Sequence, residues 1–170
     1  MRAMGQRSLT VLVWLALIAG ASASDRTALP VPFEKEGHWG YRSGQSVVIA
    51  PRFEVAWEFS REGIAAVVDS AGWAYIDRAG RVLVRPFQFD NGPDDFHEGL
   101  ARCVEGGRFG FFDRGGRIVI APRFAFAWPF SHGLAKVCLR CVKVQEGEHY
   151  RYTGGRWFYI DRKGKRIAAP

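Results

Sequence analysis

Trp73-Ala-Tyr-Ile-Asp-Arg-Ala-Gly80 returns as Phe109-Gly-Phe-Phe-Asp-Arg-Gly-Gly116 and again as Trp157-Phe-Tyr-Ile-Asp-Arg-Lys-Gly164. A shortened copy stands earlier, as Trp39-Gly-Tyr-Arg-Ser-Gly44. The copies start 34, 36 and 48 residues apart (Trp39, Trp73, Phe109, Trp157). The first three are followed by β-branched runs ending at Pro51, Pro86 and Pro122, and the last runs to Pro170. A Phe-rich stretch then closes on Phe59 to Gly63, Phe96 to Gly99 or Phe130 to Gly133, with Ile64-Ala65, Leu100-Ala101 or Leu134-Ala135 next. Self-similarity at such a period marks an array in which each unit buries its face only against its neighbours.

Local chemistry makes the unit β. Asp77, Asp113 and Asp161 each precede a turn Gly by three residues, a spacing that suits an Asp accepting backbone hydrogen bonds while the Gly takes the left-handed conformation. The flanks are aromatic or β-branched, as strands prefer. The strand around Trp73 is apolar on both faces and is expected to be covered on both sides. Pro51, Pro86 and Pro122 are expected to end the second strand, where a missing N–H breaks no ladder. A third strand is expected from each Leu-Ala or Ile-Ala step. No window from Ser24 onward keeps a helical period, although one helical turn fits within the Phe-rich stretches. The fold class is therefore all-β: tandem antiparallel hairpins in about three and a half repeats, as an open curved array or a compact closed form. Pro32-Phe33 and Gly37 read as the remnant of a missing half repeat.

These features resemble the WG repeat family (also called KWG repeats), whose unit reads roughly W-G-y-i-D-x-x-G-x-x-V-I-x-P-x-F-x-x-a-x-x-F-s-e-G-l-A-x-V. Only Trp39-Gly40 keeps the literal pair; the third copy has Phe109-Gly110, and Ala74 and Phe158 replace the Gly elsewhere. The resemblance implies a bacterial interaction or structural module. The expected organisation is a repeat domain over 37–170, with repeats at about 37–71, 72–106 and 107–154, an insert at 138–156, and a half repeat over 155–170. Residues 24–36 precede it.

Residues 1–23 read as a secretory signal peptide: Arg2 and Arg7, the apolar run Leu9 to Ala19, then Ala21-Ser22-Ala23. The run is shorter than the roughly 20 residues a membrane-spanning helix needs. A periplasmic or secreted protein is expected, soluble once processed. The formal net charge of +7 includes Arg2 and Arg7, and the remaining surplus is dispersed rather than striped, so no nucleic-acid partner is expected. The charge fits solubility and a mild attraction to anionic envelope polymers.

No catalytic residues, metal ligands or cofactor are expected. Glu62, Glu98 and His132 share one repeat position, and a role that accepts both Glu and His is not catalytic. There is no Gly-x-Ser-x-Gly elbow, and Ser131 and His132, as neighbours on a strand, are expected to diverge. Cys103, Cys138 and Cys141 are candidates for a disulfide. Cys138 and Cys141 can pair only if the strand between them breaks, because residues three apart on a strand lie about 10 Å apart on opposite faces. Cys103 matches Val67 and Val137, an inward position, and a bridge from Cys103 to either partner is the alternative.

The binding candidates are Trp57 and Trp128, in equivalent Ala-Trp-x-Phe segments, and Arg52 and Arg123, in equivalent Pro-Arg-Phe steps. Together they make a Trp/Arg ladder suited to a peptide or a sugar ring, against which stands the inward packing usual for large aromatics. Tyr150 and Tyr152, beyond a hairpin tip at Glu146-Gly147, form a second candidate, since inserts in repeat arrays often carry binding. The expected function is envelope protein–protein interaction or scaffolding by a partner not named in the sequence. Glycan binding is the alternative, and a thiol or metal enzyme ranks below both.

Overall fold

The structure is a computed structural model that describes residues 28–168. The expected signal peptide lies outside the described residues. Eighteen strands form four successive antiparallel sheets and two small hairpins, and no helix occurs among the described residues. Sheet one is β1 (Val31–Lys35), β2 (His38–Ser43) and β3 (Ser46–Phe53); sheet two is β4 (Val55–Ala56), β5 (Ala65–Asp69), β6 (Gly72–Ile76) and β7 (Val82–Val84). A hairpin of β8 (Gln88–Phe89) and β9 (Gly92–Pro93) leads to sheet three, β10 (Leu100–Glu105), β11 (Arg108–Asp113) and β12 (Ile118–Phe124). Sheet four joins β13 (Phe126–Ala127), β14 (Leu134–Leu139), β17 (Arg156–Asp161) and β18 (Arg166–Ile167), with the hairpin β15 (Val142–Glu146) and β16 (His149–Thr153) inserted.

The sheets run out of phase with the sequence repeats. Each takes its first one or two strands from the end of one repeat and its last two from the start of the following one. The Pro32-Phe33 remnant therefore becomes β1, which pairs with β2 from Val31↔Arg42 to Lys35↔His38, in the register of Ala65↔Ile76 on β5 and β6. The segment 24–36 thus supplies a strand to the repeat domain. No ladder joins β1 to β18, so the array is open and no barrel closes.

The Asp turns form as their chemistry requires. Asp113 Oδ1 accepts the amides of Gly115 and Arg117 at 2.9 and 3.0 Å, and Gly116 turns at φ 78°. Asp77 and Asp161 repeat this geometry. Partial burial pushes the Asp113 carboxyl up, but bonds from the Arg117 side chain and the two amides bring it below the usual carboxylate range.

The prolines behave differently from the sequence reading. Pro51 and Pro122 do not end their strands but lie inside β3 and β12. The ladder passes from Trp39↔Phe53 to Tyr41↔Ile49, so that Gly40 alone faces Ala50, Pro51 and Arg52. Gly110 likewise faces Ala121, Pro122 and Arg123. A Cβ on Gly40 would stand 2.5 Å from the Ile49 carbonyl oxygen and 2.7 Å from the Pro51 nitrogen. The same distances separate Gly110 from Ile120 and Pro122. The bulge tolerates a proline because its amide has no ladder partner, and only glycine leaves room beneath it. Ala74 has no such bulge over it: β7 stops at Val84, and Pro86 bridges to Cys103 in the next sheet.

Beyond each corner the chain becomes the edge of the next sheet. The Glu54 and Trp57 amides donate to Val68 and Ala66, and those of Ala125 and Trp128 donate to Cys138 and Lys136. The core accordingly lies at the junctions. Tyr41, Ile49, Phe53 and Phe59 pack with Val67, Ala74 and Ile76 between sheets one and two; Phe109, Phe111, Ile120 and Phe124 pack with Val137 and Ile160 between sheets three and four.

Two outcomes follow. Gly110→Ala is expected to lower unfolding free energy by about 2 kcal/mol or more, measured by urea denaturation. Asp113→Ala is expected to cost about 1 kcal/mol at neutral pH. Because the folded carboxyl titrates below its unfolded value of about 3.9, its contribution is complete above that pH and is lost as pH falls through the folded pKa. The gap between wild type and variant should narrow as pH falls through the folded pKa, as tracked by denaturation at stepped pH.

Candidate binding surface

The junction glycines aim a side chain. The bulge they permit projects Arg52 onto the turn of the next sheet, where Nη2 donates to the Gly80 carbonyl at 2.6 Å. Arg123 does the same to Gly164 at 3.0 Å. Each guanidinium also lies over the ring of the following Phe, at 5.0 and 5.1 Å from the centroid. The expected ligand-gripping pair is thus engaged in joining successive sheets.

Trp57 and Trp128 are 49% and 53% exposed, so these indoles do not pack wholly inward. They rest on different supports and form no single ladder. Trp57 sits edge-on to Trp73 at 5.1 Å, whereas Trp128 sits perpendicular to Phe126 at 5.2 Å. The insert folds as the hairpin that its tip residues suggested, with β15 and β16 paired from Val142↔Thr153 to Glu146↔His149. It docks by Tyr152, which stacks on the same Phe126 at 4.0 Å. Tyr150, 46% exposed, contacts Tyr152 and lies under the Lys143 ammonium at 3.5 Å. The fold therefore brings Trp128, Tyr150 and Tyr152 together and leaves Trp57 on a separate patch.

One member of this surface escaped the sequence reading. Phe89, 63% exposed, stands on β8 and contacts Phe87, which continues through Phe109 to Phe126. The segment holding it was legible in outline: Asp90-Asn91-Gly92 is a hairpin turn signal. Its anchor is a buried ion pair. Arg102 Nη2 and Asp94 Oδ1 lie 2.5 Å apart, Arg102 Nε donates to Asp94 Oδ2 at 3.0 Å, and the two residues are 4% and 3% exposed. Arg102 Nη1 also donates to the Ala127 carbonyl, beside Trp128, and its guanidinium covers Phe87 at 4.7 Å. This pair takes over at the junction where Ala74 allows no glycine corner.

The cysteines sort into two places. Cys103 belongs to a small core with Val84, Ala101 and Phe112, in the inward position expected of it, and burial pushes its thiol up to about 11. Cys138 and Cys141 lie in the core between sheets three and four. The strand breaks between them at Arg140, whose φ is 63°, the break that their pairing requires. All three thiols are free. Burial and hydrogen bonding to Cys138 push the Cys141 thiol up to about 12. Ser131 and His132 differ from expectation: the left-handed His132 (φ 52°) places the pair in a turn, with Ser131 Oγ 2.9 Å from His132 Nδ1. Glu98 occupies the same turn position in the previous repeat, and its carboxylate accepts the Gly133 amide at 3.0 Å. Among the described residues, no three His, Cys, Asp or Glu side chains gather as a metal-ligand set, and no helix is long and apolar enough to cross a membrane.

Stacked antiparallel sheets, joined end to end along the chain and presenting aromatic side chains at the junctions, define an open β-repeat module. The chain belongs to the WG containing repeat family, whose pattern matches residues 43–69, 73–108 and 109–140. No curated relative matches it.

Asp94→Ala strands a buried guanidinium and is expected to cost about 3–5 kcal/mol, read by urea denaturation. It is also expected to increase the exposure of Trp128, read by quenching of its fluorescence in a variant that keeps Trp128 as its only tryptophan.

Proposed function

We propose that this chain is an exported binding module that holds a protein partner in the bacterial envelope on the aromatic face spanning sheets three and four. The observation that carries the reading is the placement of Phe89, Trp128 and Tyr150. Each is about half exposed or more, yet each contacts a partly or fully buried ring. Rigid aromatics with a fixed base lose little conformational entropy on binding, and for that reason they dominate interface energetics. The sequence supports export through residues 1–23. The module acts by binding rather than by chemistry: the raised Cys103 and Cys141 thiols are poor nucleophiles at neutral pH.

Glycan recognition is the second reading, favoured by the exposed Trp57 and Trp128 indoles, whose faces suit a sugar ring. The test places a photo-crosslinking phenylalanine analogue at position 150 of the protein in its native envelope, with Val48, an exposed residue of sheet one, as the control position. One dominant protein adduct from position 150, lost on Trp128→Ala and absent from position 48, is expected. Equal adducts from both positions would contradict the reading. No protein adduct, with retention on purified cell-wall glycan that Trp57→Ala or Trp128→Ala abolishes, would replace it with the second.

A further inference from the structure

Arg108, Arg123, Arg140 and Arg156 line one cleft of about 700 Å³ between sheets three and four, with Leu139 and Gly155. Among the described residues none of the four makes an ion pair; the bridges that form engage Lys35, Arg81, Arg85, Arg102, Arg117 and Arg151 instead. Glu105 stands opposite Arg108 across the β10–β11 hairpin without bridging to it. Arg123 uses one Nη on Gly164 and keeps further N–H donors.

The array supplies an internal reference. The equivalent cleft between sheets one and two is lined by His38, Arg52, Glu54, Asp69 and Ser70, among others. In repeat register Arg108 replaces His38, Arg140 replaces Ser70, Leu139 replaces Asp69, and Ala125 stands where Glu54 does. Every one of these changes adds positive charge or removes negative charge. Arg140, moreover, holds its guanidinium out from a left-handed backbone that a non-glycine residue seldom adopts. Gly155 fixes that break, since a Cβ there would stand within 2.7 Å of the Leu139, Arg140 and Cys141 backbone.

We propose that this cleft binds a ligand carrying two or more phosphate groups. Four guanidiniums with no carboxylate among them match phosphate oxygens through paired N–H donors, and the volume exceeds the needs of a single phosphate. The site is independent of the aromatic face. Binding to wild-type protein is measured calorimetrically with tripolyphosphate and inorganic phosphate, and by sedimentation with vesicles containing cardiolipin, whose headgroup carries two phosphates. The variant Arg140→Gly/Arg156→Ala removes two guanidiniums and suits the φ at position 140, so folding is preserved. Arg42→Ala/Arg61→Ala removes equal charge elsewhere. Saturable tripolyphosphate binding that weakens at least about tenfold in the cleft variant, and less than about twofold in the control, is expected. Vesicle binding with the same variant dependence would identify the source as a lipid headgroup, and its absence a soluble polyphosphate. No saturable binding, equal loss in both variants, or inorganic phosphate binding as tightly as tripolyphosphate would overturn the proposal.

Discussion

At Gly40 and Gly110 the backbone of the neighbouring strand passes through the space where a side chain would begin. That approach lets three residues bulge over one, and the bulge turns β3 and β12 out of their own sheets and into the edges of the next. It also throws Arg52 and Arg123 onto the following Asp turns. At these two junctions one close contact thus sets the path of the chain from one sheet into the edge of the next, and the guanidinium clamp across them. The hydrophobic clusters fall at the junctions for the same reason: no sheet has a second layer of its own to bury against.

The middle junction shows what happens without that contact. Ala74 fills the space, the corner is lost, and the chain instead extends a β8–β9 hairpin that plants Asp94 against Arg102. A buried ion pair is a demanding substitute, since each charge depends on the other to offset its desolvation. It also carries a directional benefit, because Arg102 reaches the Ala127 carbonyl and the ring of Phe87. The aromatic face and the arginine cleft both lie on the C-terminal side of this junction, where the repeats diverge most.

Much of the fold was legible because the repeat states it several times. The Asp-x-x-Gly turns, the strand starts at the Leu-Ala steps and the insert hairpin each follow from local chemistry that needs no tertiary context. Pro51 and Pro122 misled because a proline ends a strand only if its neighbours keep the ladder, and here Gly40 and Gly110 release them from it. The Gly-to-Ala change at position 74 coincides with the absence of a bulged corner there. Ser131 and His132 were placed on a strand because the turn begins one residue before its glycine, with His132 left-handed ahead of Gly133. The binding candidates were found as types, but their grouping was not. Trp128 and Tyr152 are separated in sequence and meet only through Phe126, and the four arginines come from three strands and a break.

The most direct test of the corner is a double-mutant cycle between Gly110→Ala and Arg123→Ala, with unfolding free energies measured in urea. If the bulge over Gly110 is what carries Arg123 to Gly164, displacing it removes the clamp as well, and the double variant should lose clearly less than the two single losses combined. Losses that simply add would show that the clamp forms without the corner, and would contradict the account.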